Sequence, residues 1–133
     1  MSDLNGRVAL VTGAGSESGI GFAAAQVLAE RGAVVAVTST TDRIQARALE
    51  LARDGAQAAG FVADLTVIEQ AEGLVQAVVE RFGRLDIVVN NAGSTRGPDR
   101  QPVAALPASE WRRVVDTNLN GGFYMCQAFG QRL

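Results

Sequence analysis

The segment Thr12-Gly13-Ala14-Gly15-Ser16-Glu17-Ser18-Gly19-Ile20-Gly21 follows the apolar run Val8-Ala9-Leu10-Val11 and leads into an alanine-rich stretch with helical spacing. A glycine loop between a strand and a helix turns backbone N–H groups and the positive end of the helix dipole toward one point. Its glycines let a bulky anion approach closely. The chemistry this allows is pyrophosphate binding, so the segment reads as a nucleotide site; the alternative is a tight turn whose glycines are incidental. Glu17 is awkward beside phosphates and is expected to point to solvent.

Other polar residues stand where later apolar runs end. Asp64 lies in Ala63-Asp64-Leu65-Thr66, and Asn90-Asn91-Ala92-Gly93 follows Leu85-Asp86-Ile87-Val88-Val89. In an open parallel sheet, ligands bind beyond the carboxyl ends of the strands, which is where these residues fall. Each also has a plain structural reading. Asp64 can cap a helix ahead of Val67, and Asn90 can satisfy buried backbone groups. Asn118, in Asp116-Thr117-Asn118-Leu119-Asn120-Gly121, can weaken its own helix by bonding to nearby backbone.

What is missing excludes as much. The chain of 133 residues contains no His and no Lys. Histidine acid–base chemistry, a histidine-ligated metal, Schiff-base lysines and P-loop lysines are therefore outside its repertoire. One cysteine, Cys126, allows no internal disulfide and no thiolate cluster, which points to a reducing compartment. A formal charge of −2 offers no footprint for nucleic acid. No apolar run approaches the ~20 residues that cross a bilayer. The start, Met1 to Arg7, lacks a basic and long apolar leader, so a cytoplasmic protein is expected.

The elements that must carry these residues are legible. Apolar runs begin at Val8, Ala33, Ala58 and Leu85, without polar alternation, as in strands covered on both faces. Between them, Ile68, Ala71, Val75, Val78, Val79 and Phe82 form one stripe at period 3.6. The stretch from Gly19 to Arg31 is expected to bury Ile20, Ala24, Val27 and Leu28 and to stop at Gly32. A third helix starts near Thr41 or Asp42, carries Ile44, Ala48, Leu51 and Ala52, and ends at Gly55. After a loop from Asn91 to Leu106, a last helix starts near Pro107 or Ala108, with a weak or kinked turn at Gly121-Gly122. Right-handed crossovers then give a Rossmann-type, doubly wound parallel α/β sheet of four strands followed by a long helix, one domain over residues 1–133.

The glycine loop, Asp64, Asn90-Asn91-Ala92-Gly93 and Asn118 stand in the order and at the positions that resemble the short-chain dehydrogenase/reductase family. Five residues separate Gly13 from Gly19, however, where the family fingerprint has three. The opening region and Asn91 to Arg96 look most like the 3-oxoacyl-acyl-carrier-protein reductase branch. The resemblance implies a nicotinamide cofactor held by Gly13, Gly15, Ser16, Gly19, Ile20 and Gly21, by Ser39 and Thr40, by Asp64 and Leu65 beside the adenine, and by Asn91, Ala92 and Gly93. It implies that Asn118 helps hold a water in a proton relay. Ser94, Thr95 and Arg96 can border the substrate, and Arg96 reads equally as a surface loop residue. No metal is expected.

Members of the family that use NAD place an acid after the second strand. Here the segment is Thr38-Ser39-Thr40-Thr41-Asp42-Arg43, so NADP is favoured over NAD unless Asp42 turns inward, and Arg43 can bond a 2′-phosphate or stand as a solvated first-turn arginine. The family's catalytic Ser and Tyr-x-x-x-Lys have no match, since Tyr124 is followed four positions later by Ala128. Tyr124 and Cys126 read as packing or interface residues and Trp111 as an anchor for the last helix. The expectation is the N-terminal portion of a longer oxidoreductase that acts on a small carbonyl or alcohol substrate, with a 3-oxoacyl thioester as one candidate. The alternative is a truncated, non-catalytic dinucleotide-binding or interaction module. A sheet ending here leaves the fourth strand without a neighbour. The apolar surplus of Trp111, Val114, Val115, Leu119, Phe123 and Phe129, together with the resemblance, implies a homo-oligomer, tetramer or dimer.

Overall fold

A computed structural model describes residues 3–94 and 97–133. Four strands, β1 (Val8–Val11), β2 (Val34–Ser39), β3 (Ala58–Val62) and β4 (Ile87–Val89), form one parallel sheet in the order β3-β2-β1-β4. Helices α1 (Ile20–Glu30), α2 (Ile44–Arg53) and α3 (Ile68–Phe82) are the crossovers, and α4 (Ala108–Val115) and α5 (Gly121–Gly130) follow β4. The doubly wound expectation therefore holds, with the strand order reversing between β1 and β4.

Both faces of the sheet are covered, which explains the unbroken apolar runs. Ala9 and Val11 of β1 and Val35 and Val37 of β2 pack with Phe22 and Ala25 of α1 and with Ile44, Ala48 and Leu51 of α2. Val8, Leu10 and Ala36 pack on the other face with Ala71, Leu74, Val75 and Val78 of α3 and with Met125 and Ala128 of α5. Successive residues thus go to alternate faces, and in the central strands β1 and β2 all but Val34 are buried.

The structure departs from the sequence reading in three places. Helix α1 is turned: Gly21, Phe22 and Ala25 are buried, while Ile20 and Val27 are 81% and 51% exposed. The cause is Gly21, where an added Cβ would come within 2.6 Å of both the Gly13 carbonyl oxygen and Asn91 Nδ2. That close approach fixes which side of α1 meets the strand ends. Second, the last helix is irregular one turn before the glycine pair: Asp116–Asn120 is a π turn between α4 and α5. Third, Trp111 anchors nothing, being 63% exposed on a helix with no buried residue. Met125, fully buried, holds α5 to the core instead.

The ends behave as composition dictates. Gly32, at φ +95°, sits just past α1, and the Ala33 N–H donates back to the Leu28 carbonyl at 3.1 Å, the turn expected of a glycine at that place. Below the sheet, Asp86 accepts from the Val8 N–H at 2.9 Å and from Arg84 Nε at 2.8 Å. The Arg84 guanidinium, and after it the Val8 amide, hold the Asp86 carboxyl below the usual carboxylate range. No described helix is long and apolar enough to cross a membrane.

Candidate functional site

At the carboxyl ends of the strands lies a cleft of about 370 Å³. One buried hydroxyl assembles its floor. Thr12, just past β1, accepts from the Asn91 and Ala92 N–H groups at 3.0 and 2.9 Å and donates to the Val89 carbonyl at 3.3 Å. The end of β1 is thereby stitched to the end of β4. Asn91 returns the contact, its Nδ2 donating to the Gly13 carbonyl at 3.2 Å.

The glycines are required by this closeness. Gly13 has φ +67°, and a Cβ there would lie 2.8 Å from Ala92 Cα. At Gly15 a Cβ would meet Arg43 Nε at 2.5 Å and Ser39 Cβ at 2.9 Å. Gly19 differs, since its nearest neighbours would be Ser16 Cβ and O at 3.3 Å, a contact that an exposed loop can absorb. The protein's own demand for glycine is thus weaker at position 19 than at Gly13 or Gly15. The Ala14 N–H, donating to the Thr38 carbonyl at 3.0 Å, fixes the loop against β2. Glu17 points to solvent as expected, its side chain 75% exposed.

Of the residues expected to meet a cofactor, Gly13, Gly15, Ser39, Thr40, Asp64, Leu65, Ala92 and Gly93 line the cleft. Ser16, Gly19, Ile20 and Gly21 lie along the loop and the start of α1, outside that lining, and Asn91 and Asn118 stand behind it. Asn118 lies in the π turn and grips the far wall. Its Nδ2 donates to the Ser94 and Val114 carbonyls, each at 3.0 Å, and its Oδ1 accepts from the Ser94 N–H at 3.2 Å. A Cβ at Gly93 would strike that Oδ1 at 2.5 Å. The local backbone bonding expected of a helix-weakening Asn and the long-range contact therefore coexist.

Asp64 likewise does two things. It lines the cleft, and its Oδ1 accepts from the Thr66 N–H at 3.0 Å and hydroxyl at 2.6 Å, holding the turn into α3. Among the described residues the Asn90 side chain bonds no backbone group; its exposed Nδ2 donates to Cys126 Sγ of α5 at 3.2 Å. On the β2 side, Ser39 is tied into its own turn, donating to the Thr41 carbonyl at 2.8 Å. Thr40 and Arg43 line the cleft, whereas the exposed Asp42 does not.

Sequence reasoning missed Arg113, whose Nη1 donates to Ser94 Oγ at 2.8 Å, and Thr117, both in the cleft wall. Glu110, hydrogen-bonded to Arg113, raises the pKa of that already strongly basic group, so it enters the site as a fixed cation. It also missed Thr12 as a structural pivot and Arg47, which reaches the loop from α2. No local pattern reveals these, because each acts through a partner distant in sequence. The expectations for Thr95 and Arg96 fall outside the described residues. Tyr124 is half-buried against the α3/α5 core and edge-on to Phe123, with centroids 5.9 Å apart.

A dinucleotide fits this donor set: glycines that another side chain would obstruct, a polar rim at Ser39, Thr40 and Arg43 that Asp42 does not join, and apolar lining at Leu65 and Ala92. Comparison with known proteins agrees. The family model described as short chain dehydrogenase matches residues 7–133. D-threitol dehydrogenase of Mycolicibacterium smegmatis is 40% identical over 131 residues, covering 98% of this chain and 48% of the relative. The 3-oxoacyl-acyl-carrier-protein reductase of Vibrio cholerae is 37% identical over 126 residues, covering 95% and 49%. The crystal structure of a short-chain type dehydrogenase/reductase from Mycobacterium marinum superposes with a TM-score of 0.91 at 37% identity, covering 98% of this chain and 51% of that one. The chain spans about half the length of the relatives it matches.

Proposed function

The chain belongs to the short-chain dehydrogenase family, and from that premise we propose that it forms the cofactor-binding portion of an NAD(P)-dependent oxidoreductase. The observation that carries this reading is the Thr12–Asn91–Gly13 stitch, which holds a glycine loop, a helix start and two strand ends around one cleft. When bound, a nicotinamide cofactor would supply the hydride exchanged with a carbonyl or alcohol carbon. Gly13, Gly15 and the N–H groups opening α1 would hold its pyrophosphate, with Ser16, Gly19, Ile20 and Gly21 shaping the loop. Asp64 and Leu65 would border the adenine, and Asn91, Ala92 and Gly93 the nicotinamide side.

NADP is the favoured cofactor. Asp42, the acid that follows β2, does not line the cleft, and Arg43 does, so a 2′-phosphate would meet the hydroxyls of Ser39 and Thr40 and a cation. Asn118, through its three bonds in the π turn, would keep the 93–94 segment in place and help position a relay water. Tyr124 is not followed by a Lys, and no lysine occurs in these residues, so proton transfer belongs to the whole protein. A small carbonyl or alcohol is the substrate class, with a 3-oxoacyl thioester one case. The similarity to a sugar-alcohol dehydrogenase and to a 3-oxoacyl reductase is nearly equal, at 40% and 37% identity. The exposed Trp111 of α4, Leu119 of the π turn and Phe123 of α5 support a homo-oligomer.

Calorimetric titration tests the reading. Saturable binding of about one NADPH per chain, tighter than NADH, supports it, as does NADPH oxidation by the whole protein with acetoacetyl thioester. Absence of saturable binding of either nucleotide overturns it.

A further inference from the structure

The loop between β1 and α1 carries two more residues between Gly13 and Gly19 than the fingerprint it resembles. Added residues widen the set of backbone conformations from which the anion-binding one must be selected. The loop's ends are held by backbone, through the Ala14 N–H to the Thr38 carbonyl and the Gly19 N–H to the Ser16 carbonyl, both at 3.0 Å. Its middle is reached by a side chain from another element. Arg47 of α2 donates from Nη1 to the Gly15 carbonyl at 3.3 Å, and its Nη2 lies 3.9 Å from Glu17 Oε2.

Arg47 is itself braced from both sides. Its Nη2 donates to Glu50 Oε1 at 2.6 Å, and its guanidinium lies 5.7 Å from the centroid of the buried Phe22 ring of α1. A helix-surface arginine ordinarily keeps its head in water. Here the side chain is only 14% exposed, and its buried Nε has no hydrogen-bond partner among the described residues. An arginine drawn inward at the cost of an unmatched donor marks a place where its remaining contacts decide the conformation.

We propose that Arg47 is a positioning residue for cofactor binding: a strut from α2 that selects one conformation of the lengthened phosphate loop and, through Glu17, turns the loop's carboxylate away from the pyrophosphate. The proposal rests on the dinucleotide reading given above. Arg43, one helical turn earlier, has the complementary place. It lines the cleft beside Gly15 and can touch a ligand, whereas Arg47 lies outside the lining and acts through the loop alone. Removing Arg47 therefore weakens NADPH and NADH alike, while removing Arg43 weakens NADPH selectively.

Two measurements on the whole protein decide this. In hydrogen–deuterium exchange without cofactor, Arg47→Met should speed exchange of the amides from Gly15 to Ser18 roughly tenfold and leave those of β1 unchanged. Arg53→Met, on the same helix, is the control. In titrations, Arg47→Met should raise the Kd of NADPH and NADH by a common factor and leave that of adenosine 2′-monophosphate, which has no pyrophosphate, as it was. Arg47→Lys should recover part of the loss. If Arg47→Met does not fold, Glu17→Gln removes the loop's end of the contact and should speed exchange at Ser16 to Ser18 by a smaller factor. Unchanged exchange in the loop overturns the strut whether or not a dinucleotide binds. A loss confined to NADPH also overturns it, by making Arg47 a phosphate ligand. Failure of the wild-type protein to bind either dinucleotide falls on the proposed function, and the exchange measurement still decides the strut.

Discussion

Replacing Thr12 by Val asks whether one hydroxyl holds the two halves of the cleft together. Thr12 is 1% exposed, and Val keeps its shape while removing the oxygen that joins Asn91, Ala92 and Val89. The bookkeeping is specific. The Asn91 N–H also reaches the Val89 carbonyl at 3.0 Å, and that carbonyl also takes the Thr12 N–H at 3.1 Å, so both keep a partner. The Ala92 N–H has Thr12 Oγ1 as its described acceptor, at 2.9 Å. A donor stripped of its partner costs about 1–3 kcal/mol. We expect a loss of about 2 kcal/mol, which at a urea slope of about 2 kcal/mol/M lowers the unfolding midpoint by about 1 M. Far-UV circular dichroism is the assay, since Trp111 is largely exposed and reports little of the core. Thr12→Ser keeps the oxygen and should lose less than half as much. A Val variant within about 0.3 M of wild type, or a Ser variant equally damaged, refutes the reasoning.

Thr40→Asp places a carboxylate where a 2′-phosphate would lie, and the NADPH-to-NADH affinity ratio should fall about tenfold or more, about 1.4 kcal/mol, by titration; an unchanged ratio removes Thr40 from the site. Gly19→Ala should leave the urea midpoint near wild type while weakening both dinucleotides, because a Cβ there meets only Ser16 of the exposed loop, at 3.3 Å, and asks for a small shift of it; a large stability loss with normal binding contradicts this. Asp86, with its carboxyl lowered by Arg84 and the Val8 amide, contributes stability that is present above its unfolded value of about 3.9 and is lost as pH falls through the lowered folded value. The gap between wild type and Asp86→Ala, about 1–2 kcal/mol at pH 7, should therefore close in acid, and a gap independent of pH contradicts the assignment. Asn118→Leu removes two bonds to Ser94 and one to the Val114 carbonyl of α4, and should cut turnover of the whole protein more than it raises the Kd of NADPH.

The strands and the glycine loop were legible because their signals are local: unbroken apolar runs for strands covered on both faces, and glycines packed between a strand and a helix. Asp64, Ala92 and Gly93 were legible from their place just past strand ends, and they line the cleft. The rotation of α1 was not, because it is set by Gly21 wedging against Gly13 and Asn91, a contact across most of the chain. The π turn was expected as an irregularity but one turn late, since the glycine pair carries the visible signal and the turn itself lies at Asp116–Asn120. Trp111 was misread because apolar character alone cannot distinguish a core residue from an exposed one. Arg47 and Arg113 were invisible as site residues, because an arginine bonding to a distant carbonyl or hydroxyl leaves no period or motif.

A crystal structure of the protein with NADP bound tests the central claim most directly. The account predicts the pyrophosphate against Gly13, Gly15 and the start of α1, the 2′-phosphate beside Ser39, Thr40 and Arg43, and the adenine at Asp64 and Leu65. It predicts the nicotinamide toward Ala92 and Gly93. A dinucleotide seated on another surface, or none at saturating concentration, contradicts it.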